Sequence, residues 1–263
     1  MTGRAISSLS NPTVKEVRAL HLRKAREESG LFLAEGLKIV TEAVELGHAP
    51  SILLHGSEAR EHPLLVKAAR AARSTGGEVI EVTRDILEKV SRRENPQTVV
   101  GVFTQAFAAL EDIDPTSADC WVALQQVRDP GNLGTIVRTA DAAGCGGVIL
   151  VGDCCDPYSV EAVRATMGSI FAVKIAKASV DAFLAWRGGW PGSVAGTLLS
   201  ASIDYRQADY RKPVMVLMGN EQAGLPPELA AACDVTVKIP MRGRADSLNL
   251  SVATGIMIYA VTG

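Results

Sequence analysis

The chain has 263 residues, 47% hydrophobic and 21% charged, with 27 Lys/Arg against 29 Asp/Glu and a formal net charge of −2. That apolar share excludes a disordered chain and supplies a sizeable core, while no apolar run approaches the roughly 18 residues of a membrane-spanning helix. Five cysteines (120, 145, 154, 155, 233) without C-x-x-C spacing exclude a disulfide framework and a zinc site.

In chain order, the N-terminal MTGRAISSLSNPTVKE lacks an apolar signal core, so a cytosolic (cytoplasmic) protein is expected. Asn11-Pro12 opens a first helix, an N-cap residue followed by proline at the first helical position, and Gly30 stops it. A strand over 31–34 and an amphipathic helix over 37–46 follow, the latter ended by Gly47. Then come strand 51–54, helix 64–73, strand 78–82 and strand 99–103. This alternation predicts a small α/β domain over residues 1–105. Its first 30 residues carry six basic side chains (Arg4, Lys15, Arg18, Arg23, Lys24, Arg26) against three acidic ones (Glu16, Glu27, Glu28). Residues 1–105 are net +2 and the remainder net −4, an asymmetry that describes a solvated helix face as readily as an RNA footprint.

Residues 106–118, containing Pro115 and no strong period, read as a linker. Residues 119–263 alternate again: strand 120–125, helix 133–143, strand 147–151, helix 159–167, strand 172–175, helix 180–186, and strands 193–198 and 214–218. Helix 226–232, strand 235–239 and helix 248–261 complete the chain. Near-continuous apolar strands such as VILV and VMVLM predict a parallel sheet covered on both faces. All four histidines (21, 48, 55, 62) lie in the first quarter, so chemistry in this second domain proceeds without a Ser-His-Asp triad or a histidine-held metal.

Three segments of the second domain carry polar side chains at the ends of apolar strands. In DPGNLG (129–134), Asn132 is placed to cap a helix whose buried stripe is Leu133, Ile136, Val137 and Ala140, leaving Arg138 off that face. Residues 214–224 run from a buried strand into Gly219-Asn220-Glu221-Gln222-Ala223-Gly224. Those six places fit the start of a Walker A loop, but Leu225-Pro226 stand where Lys-Ser/Thr must be, which excludes an NTPase. The absence of G-x-G-x-x-G counts against an ordinary dinucleotide fold. In residues 238–261, a helix apolar nearly all round is expected to be buried, with Asn249 inside it in need of partners. Ser247 and Asn249 converge only if Ser247 is the cap outside the first turn, and Arg242 and Arg244 precede them. Taken singly, each segment reads equally as a capped helix with solvated polar side chains.

Together, DPGNLGTIVRTADAAG, MGNEQAGLP and IPM…SLNLSVATG, in this order and spacing, closely resemble the three motifs of the SpoU family, RNA ribose 2′-O-methyltransferases of the SPOUT superfamily. Residues 10–40, SNPTVKEVRALHLRKAREESGLFLAEGLKIV, also resemble the substrate-binding domain that precedes the catalytic domain in many members. The resemblance implies a ribosomal-protein-like α/β RNA-binding domain over 1–105 and an α/β SPOUT domain over 119–263. In the latter a deep trefoil knot is set in a mostly parallel sheet. It implies S-adenosylmethionine as cofactor, no metal, RNA as partner, and a homodimer through the knotted domain. By position it carries Thr197, Leu217, Gly219, Ile239, Met241 and Leu248 to the donor pocket. Asn132, Arg138, Glu221, Ser247 and Asn249 match the catalytic set. Leu250, where valine is common, is a conservative departure.

The implied reaction is displacement at a sulfonium methyl by a ribose 2′-oxygen, in which the protein orients the reactants, assists loss of a proton and excludes water. A guanidinium is an awkward base, because it is normally always protonated. Arg138 is therefore expected beside the 2′-hydroxyl, holding a phosphate and stabilising the alkoxide. Asn132 is expected to orient Arg138 or the ribose, Glu221 and Asn249 to brace the loops, and Ser247 to position the nucleotide. Ribosomal RNA, the large subunit above all, is the expected substrate. The same chemistry on transfer RNA, a non-catalytic RNA-binding assembly factor and a small-molecule methyltransferase stand as alternatives.

Overall fold

The computed structural model describes residues 4–263. Its first elements are β1 (Arg4–Ile6), α1 (Pro12–Ala19), α2 (Arg23–Ser29), β2 (Leu31–Glu35), α3 (Leu37–Glu45), β3 (Ile52–His55), α4 (Pro63–Ser74), β4 (Glu78–Val82), α5 (Arg84–Ser91) and β5 (Val99–Thr104). The single helix expected between Asn11 and Gly30 is two helices. Asn11 caps α1 through the Thr13 N–H, the chain turns at residues 20–22, and Gly30 closes α2 in the left-handed conformation. Two of these first elements lie outside the sequence expectations. β1 is too short to show an alternation, and α5 carries Ile86, Leu87 and Val90 at helical spacing among charged residues.

The five strands form one sheet in the order β1-β4-β3-β5-β2, with β1, β4 and β3 parallel and β5 antiparallel to both its neighbours, β3 and β2. Val14, Val17 and Leu20 from the first helical segment, with Ile86, Leu87 and Val90 of α5, join Leu33, Leu54, Ile80 and Val102 in its core.

The chain continues through β6 (Cys120–Gln125), α6 (Pro130–Ala142), β7 (Gly147–Val151), α7 (Val160–Thr166), β8 (Lys174–Ala178), α8 (Val180–Arg187), β9 (Val194–Thr197) and β10 (Ile203–Asp204). It ends with β11 (Val214–Met218), α9 (Pro227–Ala231), β12 (Val235–Lys238) and α10 (Leu250–Thr262). β10, a two-residue edge strand, was not expected from the pattern. All seven strands pair in parallel, in the order β10-β12-β9-β11-β6-β7-β8. Every residue of β7 and β11 is buried, as expected of parallel strands covered on both faces. Trp121, Met215, Leu217, Phe183, Trp190 and Leu229 share one apolar cluster, and α10 packs on α6 and against β6 and β11.

The apolar α10 is not buried all round. Leu250, Thr254, Met257, Ile258 and Val261 are buried, but Val252 and Tyr259 are 50% and 57% exposed. Among the described residues no helix is long and apolar enough to cross a membrane.

The chain gathers into two compact units: residues up to Gln105 together with Tyr158–Phe171, and Ala106–Pro157 together with Ala172–Gly263. The first unit thus takes α7 from within the second half of the sequence, which a boundary drawn at one point of the chain does not contain. Residues 106–118 pack on the second unit, where Ile113 is buried and Ala108 bridges Ala176. What holds α7 is visible in β2. The Glu35 carboxylate, 2% exposed, receives the Arg164 guanidinium at 2.8 Å, and Arg164 also donates to the Ser91 carbonyl. The Tyr158 and Phe171 rings stack about Phe32, with centroids at 4.6 and 5.6 Å.

Removing one partner of such a pair leaves a buried charge uncompensated. Arg164→Ala is therefore expected to destabilise the first unit by about 3–5 kcal/mol, measured as a fall in the urea midpoint; an unchanged midpoint would show that Glu35 finds another partner.

Candidate active site

Parallel pairing of β11 with β6 sets their carboxyl ends side by side. At this point the chain leaves β6 for β7 on one side and β11 for β12 on the other, the kind of switch point where α/β sheets bind ligands. Gly219 begins the loop after β11, and a Cβ there would run into the Gly224–Leu225 backbone. Only glycine permits that approach. The Asn220 N–H donates to the Gly224 carbonyl at 3.1 Å, and the Gly224 N–H returns a bond at 2.9 Å. Asn220 Oδ1 accepts from the Gln222 and Ala223 N–H groups, closing an Asx turn, and Nδ2 donates to the Gln126 carbonyl at 2.8 Å. Asn220 therefore ties the β11 loop to the β6 loop.

Glu221 next to it is an acceptor for several donors. The N–H groups of Arg128 and Asp129 reach its carboxylate at 3.3–3.4 Å, and Asn132 Nδ2 donates at 3.3 Å. Asn132 Oδ1 in turn accepts from Asn249 Nδ2 at 2.9 Å. The three sequence segments thus meet in one chain of polar contacts, Glu221–Asn132–Asn249, of side chains far apart in sequence.

Three local expectations are corrected. Asn132 does not cap α6. Asp129 does, accepting the Asn132 N–H at 2.7 Å, which puts Asn132 in the first turn and frees its amide for Glu221 and Asn249. Asn249 is neither inside α10 nor buried, because it is the exposed N-cap whose Oδ1 accepts from the Ser251 and Val252 N–H groups. Ser247 is accordingly not the cap, and its hydroxyl faces Asp246 Oδ1 at 3.4 Å.

A cavity of about 390 Å³ opens beside this network, and Thr197, Gly219, Ile239, Met241, Ser247 and Leu248 are among its lining residues. Met218, Leu225, Leu250 and Ala253 extend the apolar part of the wall. Thr197 Oγ1 is buried without a hydrogen-bond partner, an unmet polar group on a residue of that wall. Leu217 is not part of the wall. Alternation along β11 turns it into the core cluster with Trp121 and Met215, while its neighbour Met218 lines the cavity. Arg138 is exposed on α6, lines neither this cavity nor the polar cleft next to it, and makes no hydrogen bond or ion pair with the described residues. Arg242 and Arg244 are exposed before Ser247.

Cys155 lies close to the carboxylates, and burial, with Cys154, Glu221 and Asp129 nearby, pushes its thiol up to about 12. It stays protonated at neutral pH and offers no thiolate nucleophile. No group of three or more His, Cys, Asp or Glu converges as a metal site among the described residues. Sequence reasoning missed Asn220 and Asp129, the two residues that shape the loops. An Asn directly after a strand-ending glycine, and an Asp directly before proline, are the turn and cap signals that mark them.

Asn220→Ala removes the Asx turn and the tether to Gln126. The amides of Gln222 and Ala223 are expected to exchange faster with solvent, with global stability lower by about 1–3 kcal/mol; unchanged protection of those amides would show that Asn220 does not hold the loop.

Comparison with known proteins accords with this geometry. Residues 119–259 match the model of the SpoU rRNA Methylase family, and residues 11–101 match the MRM3-like substrate binding domain. A Bacillus subtilis 23S rRNA (guanosine(2553)-2′-O)-methyltransferase is 30% identical over 98% of this chain and 99% of its own. A Streptomyces viridochromogenes 23S rRNA (uridine(2479)-2′-O)-methyltransferase is 33% identical over 90% of this chain and 84% of its own. The crystal structure of an AdoMet-bound rRNA methyltransferase from Sinorhizobium meliloti superposes with a TM-score of 0.92 at 49% identity, covering 98% of this chain and 97% of that one. With the three motifs joined through the Glu221–Asn132–Asn249 contacts and the family match extending over residues 119–259, this chain belongs to the SpoU rRNA methylase family.

Proposed function

We propose that the chain methylates a ribose 2′-hydroxyl of ribosomal RNA, large-subunit RNA above others, using S-adenosylmethionine. The observation that carries this reading is the Glu221–Asn132–Asn249 network at the rim of the cavity lined by Gly219, Ile239, Met241 and Leu248. Three relatives that align over 98%, 90% and 81% of the chain are named as 23S rRNA 2′-O-methyltransferases, whereas one named for tRNA alone aligns over 54%, which favours ribosomal over transfer RNA.

The cavity fits the cofactor. Its volume lies in the ordinary range for small-molecule sites, its apolar side chains suit an adenine ring and a thioether chain, and Thr197 Oγ1 awaits a polar partner. Ile239, Met241 and Leu248 would hold the apolar parts, and Gly219 leaves its backbone open to close approach. When bound, S-adenosylmethionine supplies an electrophilic methyl on a sulfonium with a neutral leaving group. The protein's own task is then to orient the acceptor and manage one proton. Glu221 and Asn249 hold the two loops and the start of α10 in register through Asn132. Ser247, on the cavity wall, positions the nucleotide. Arg138, without a protein partner, holds the phosphate beside the 2′-hydroxyl and stabilises the developing alkoxide.

The reading includes a knotted catalytic unit and a homodimer in the cytoplasm. For the knot, β11 is inserted between β6 and β9, and β12 between β9 and β10, after the strands on both sides are laid. For the dimer, α10 leaves Val252 and Tyr259 exposed, and Arg138 lies outside the cavity of its own chain; sedimentation of the purified protein measures it.

Mapping 2′-O-methylation across total RNA with and without the gene tests the function, and a site lost on deletion is expected. Calorimetry with S-adenosylmethionine separates an enzyme from a non-catalytic binding factor. Arg138→Ala is expected to lower turnover by about 10²–10³-fold or more while donor affinity stays within about twofold; near wild-type turnover removes Arg138 from the mechanism.

The first unit anchors RNA through its N-terminal helices in this reading. Truncation is a poor test, because Val14 and Val17 of α1 belong to the core. Lys15→Glu with Arg18→Glu changes exposed side chains only. The pair is expected to weaken binding to ribosomal RNA and reduce the slope of log K against log salt by about 1 per lost phosphate contact; an unchanged slope would place the RNA elsewhere.

A further inference from the structure

The loop Asn220–Gln222 has a second cleft against it. This cleft, of about 420 Å³, is lined by Gln126, Arg128, Asp129, Asn220, Glu221 and Gln222, all of them polar. Asn220, Glu221 and Gln222 line the apolar cavity as well, so one short loop is the wall common to both.

Gln126 is the unusual residue of this cleft. Three non-glycine residues among those described have positive φ, and two of them, Arg92 and Met167, are C-caps of α5 and α7, where the left-handed conformation is ordinary. Gln126, at φ +47°, ends no helix and follows β6 directly. A side chain held there at a cost in backbone strain points to a function for it. Its backbone is fixed on both sides, the N–H donating to the Val151 carbonyl at 3.0 Å and the carbonyl accepting from Asn220 Nδ2. Gly152 packs against it, since a Cβ there would lie 3.4 Å from Gln126 Cγ. Yet the Gln126 carboxamide itself has no hydrogen-bond partner among the described residues, and neither has that of exposed Gln222. Arg128, held by Asp153 at 2.9 Å, places a guanidinium at the same cleft.

We propose that this polar cleft receives the base of the target ribonucleotide, with the carboxamides of Gln126 and Gln222 reading its edge. The proposal rests on the reading of the neighbouring cavity as the methyl-donor site. A carboxamide presents an acceptor and two donors in one plane, the complement of a base edge. A base reaches such a cleft only when unpaired or turned out of its helix, which is how sequence is read in single-stranded RNA. The two relatives above are named for 2′-O-methylation of a guanosine and of a uridine. The ribose chemistry is common to both, so the choice of base needs groups other than those acting on the ribose.

The test uses the full chain and a short RNA spanning the nucleotide that mapping identifies, made in four versions differing only at that nucleotide. Gln126→Gly suits the left-handed backbone, so it removes the side chain without adding strain; Gln222→Ala and the double variant accompany it. Gln126→Gly, which leaves the lining of the donor cavity intact, is expected to bind S-adenosylmethionine within about twofold of wild type, and discrimination is read as a ratio within each variant, so that a change in donor affinity common to all four RNAs cancels. The ratio of kcat/KM between the native nucleotide and the least favoured one is expected to shrink by about tenfold or more in the double variant, the scale of one well-made base contact. Wild-type discrimination in the double variant overturns the proposal, as does a wild-type enzyme that methylates all four RNAs equally. A wild-type chain that binds no donor and transfers no methyl overturns the methyl-transfer reading instead, and this inference with it.

Discussion

The site depends on the pairing of β11 with β6. Five residues of each strand stand in parallel register, from Val214 beside Cys120 to Met218 beside Leu124. Parallel pairing brings the loops that follow both strands to the same edge of the sheet, where the chain leaves in opposite directions. With no space for a Cβ at Gly219, the second loop folds tightly on itself, and the Asn220 amide bonds it to Gln126. Glu221 then collects main-chain N–H groups and the Asn132 amide. A carboxylate with several donors is well satisfied even without a cationic partner, so the site is organised by amides.

That organisation suits a reaction with no imidazole at hand. A sulfonium donor needs no metal or nucleophilic side chain to leave, so orientation is the main demand on the protein. The residues nearest the network meet it with fixed hydrogen bonds. The cavity and the polar cleft, with the same loop for a wall, divide the surroundings into one side with apolar side chains in its wall and one lined by polar groups alone.

The first unit relies on a different interaction. Glu35 lies nearly inaccessible in β2, a costly place for a carboxylate, and Arg164 offsets it from α7, over a hundred residues later. Aromatic contacts of Phe32 with Tyr158 and Phe171 add to this attachment. The segment between β7 and β8 is thereby part of a unit whose strands end at Thr104. The net charge of −2 is the sum of a mildly basic N-terminal region and an acidic remainder, so the average says little about an RNA partner.

What the sequence determined by itself is local or patterned. Apolar runs such as 147–151 and 214–218 mark the buried parallel strands to the residue, because such strands are covered on both faces. Asn11-Pro12 marks the start of α1 and Gly30 the end of α2, because cap chemistry acts over one turn. The order and spacing of the three motifs were enough for the family. Tertiary structure decided the rest. Asn132 and Asn249 were legible as polar candidates but not in their local parts, since which residue caps a helix depends on where the preceding chain enters, and Asp129 and Asn249 hold those positions. Leu217 and Met218 are equally apolar in sequence, and only the placement of helices and loops on the two faces of the sheet separates a core residue from a cavity wall. The left-handed Gln126 and the buried pair of Glu35 with Arg164 were invisible for the same reason. Each is set by contacts between segments distant in the chain, which no window of sequence contains.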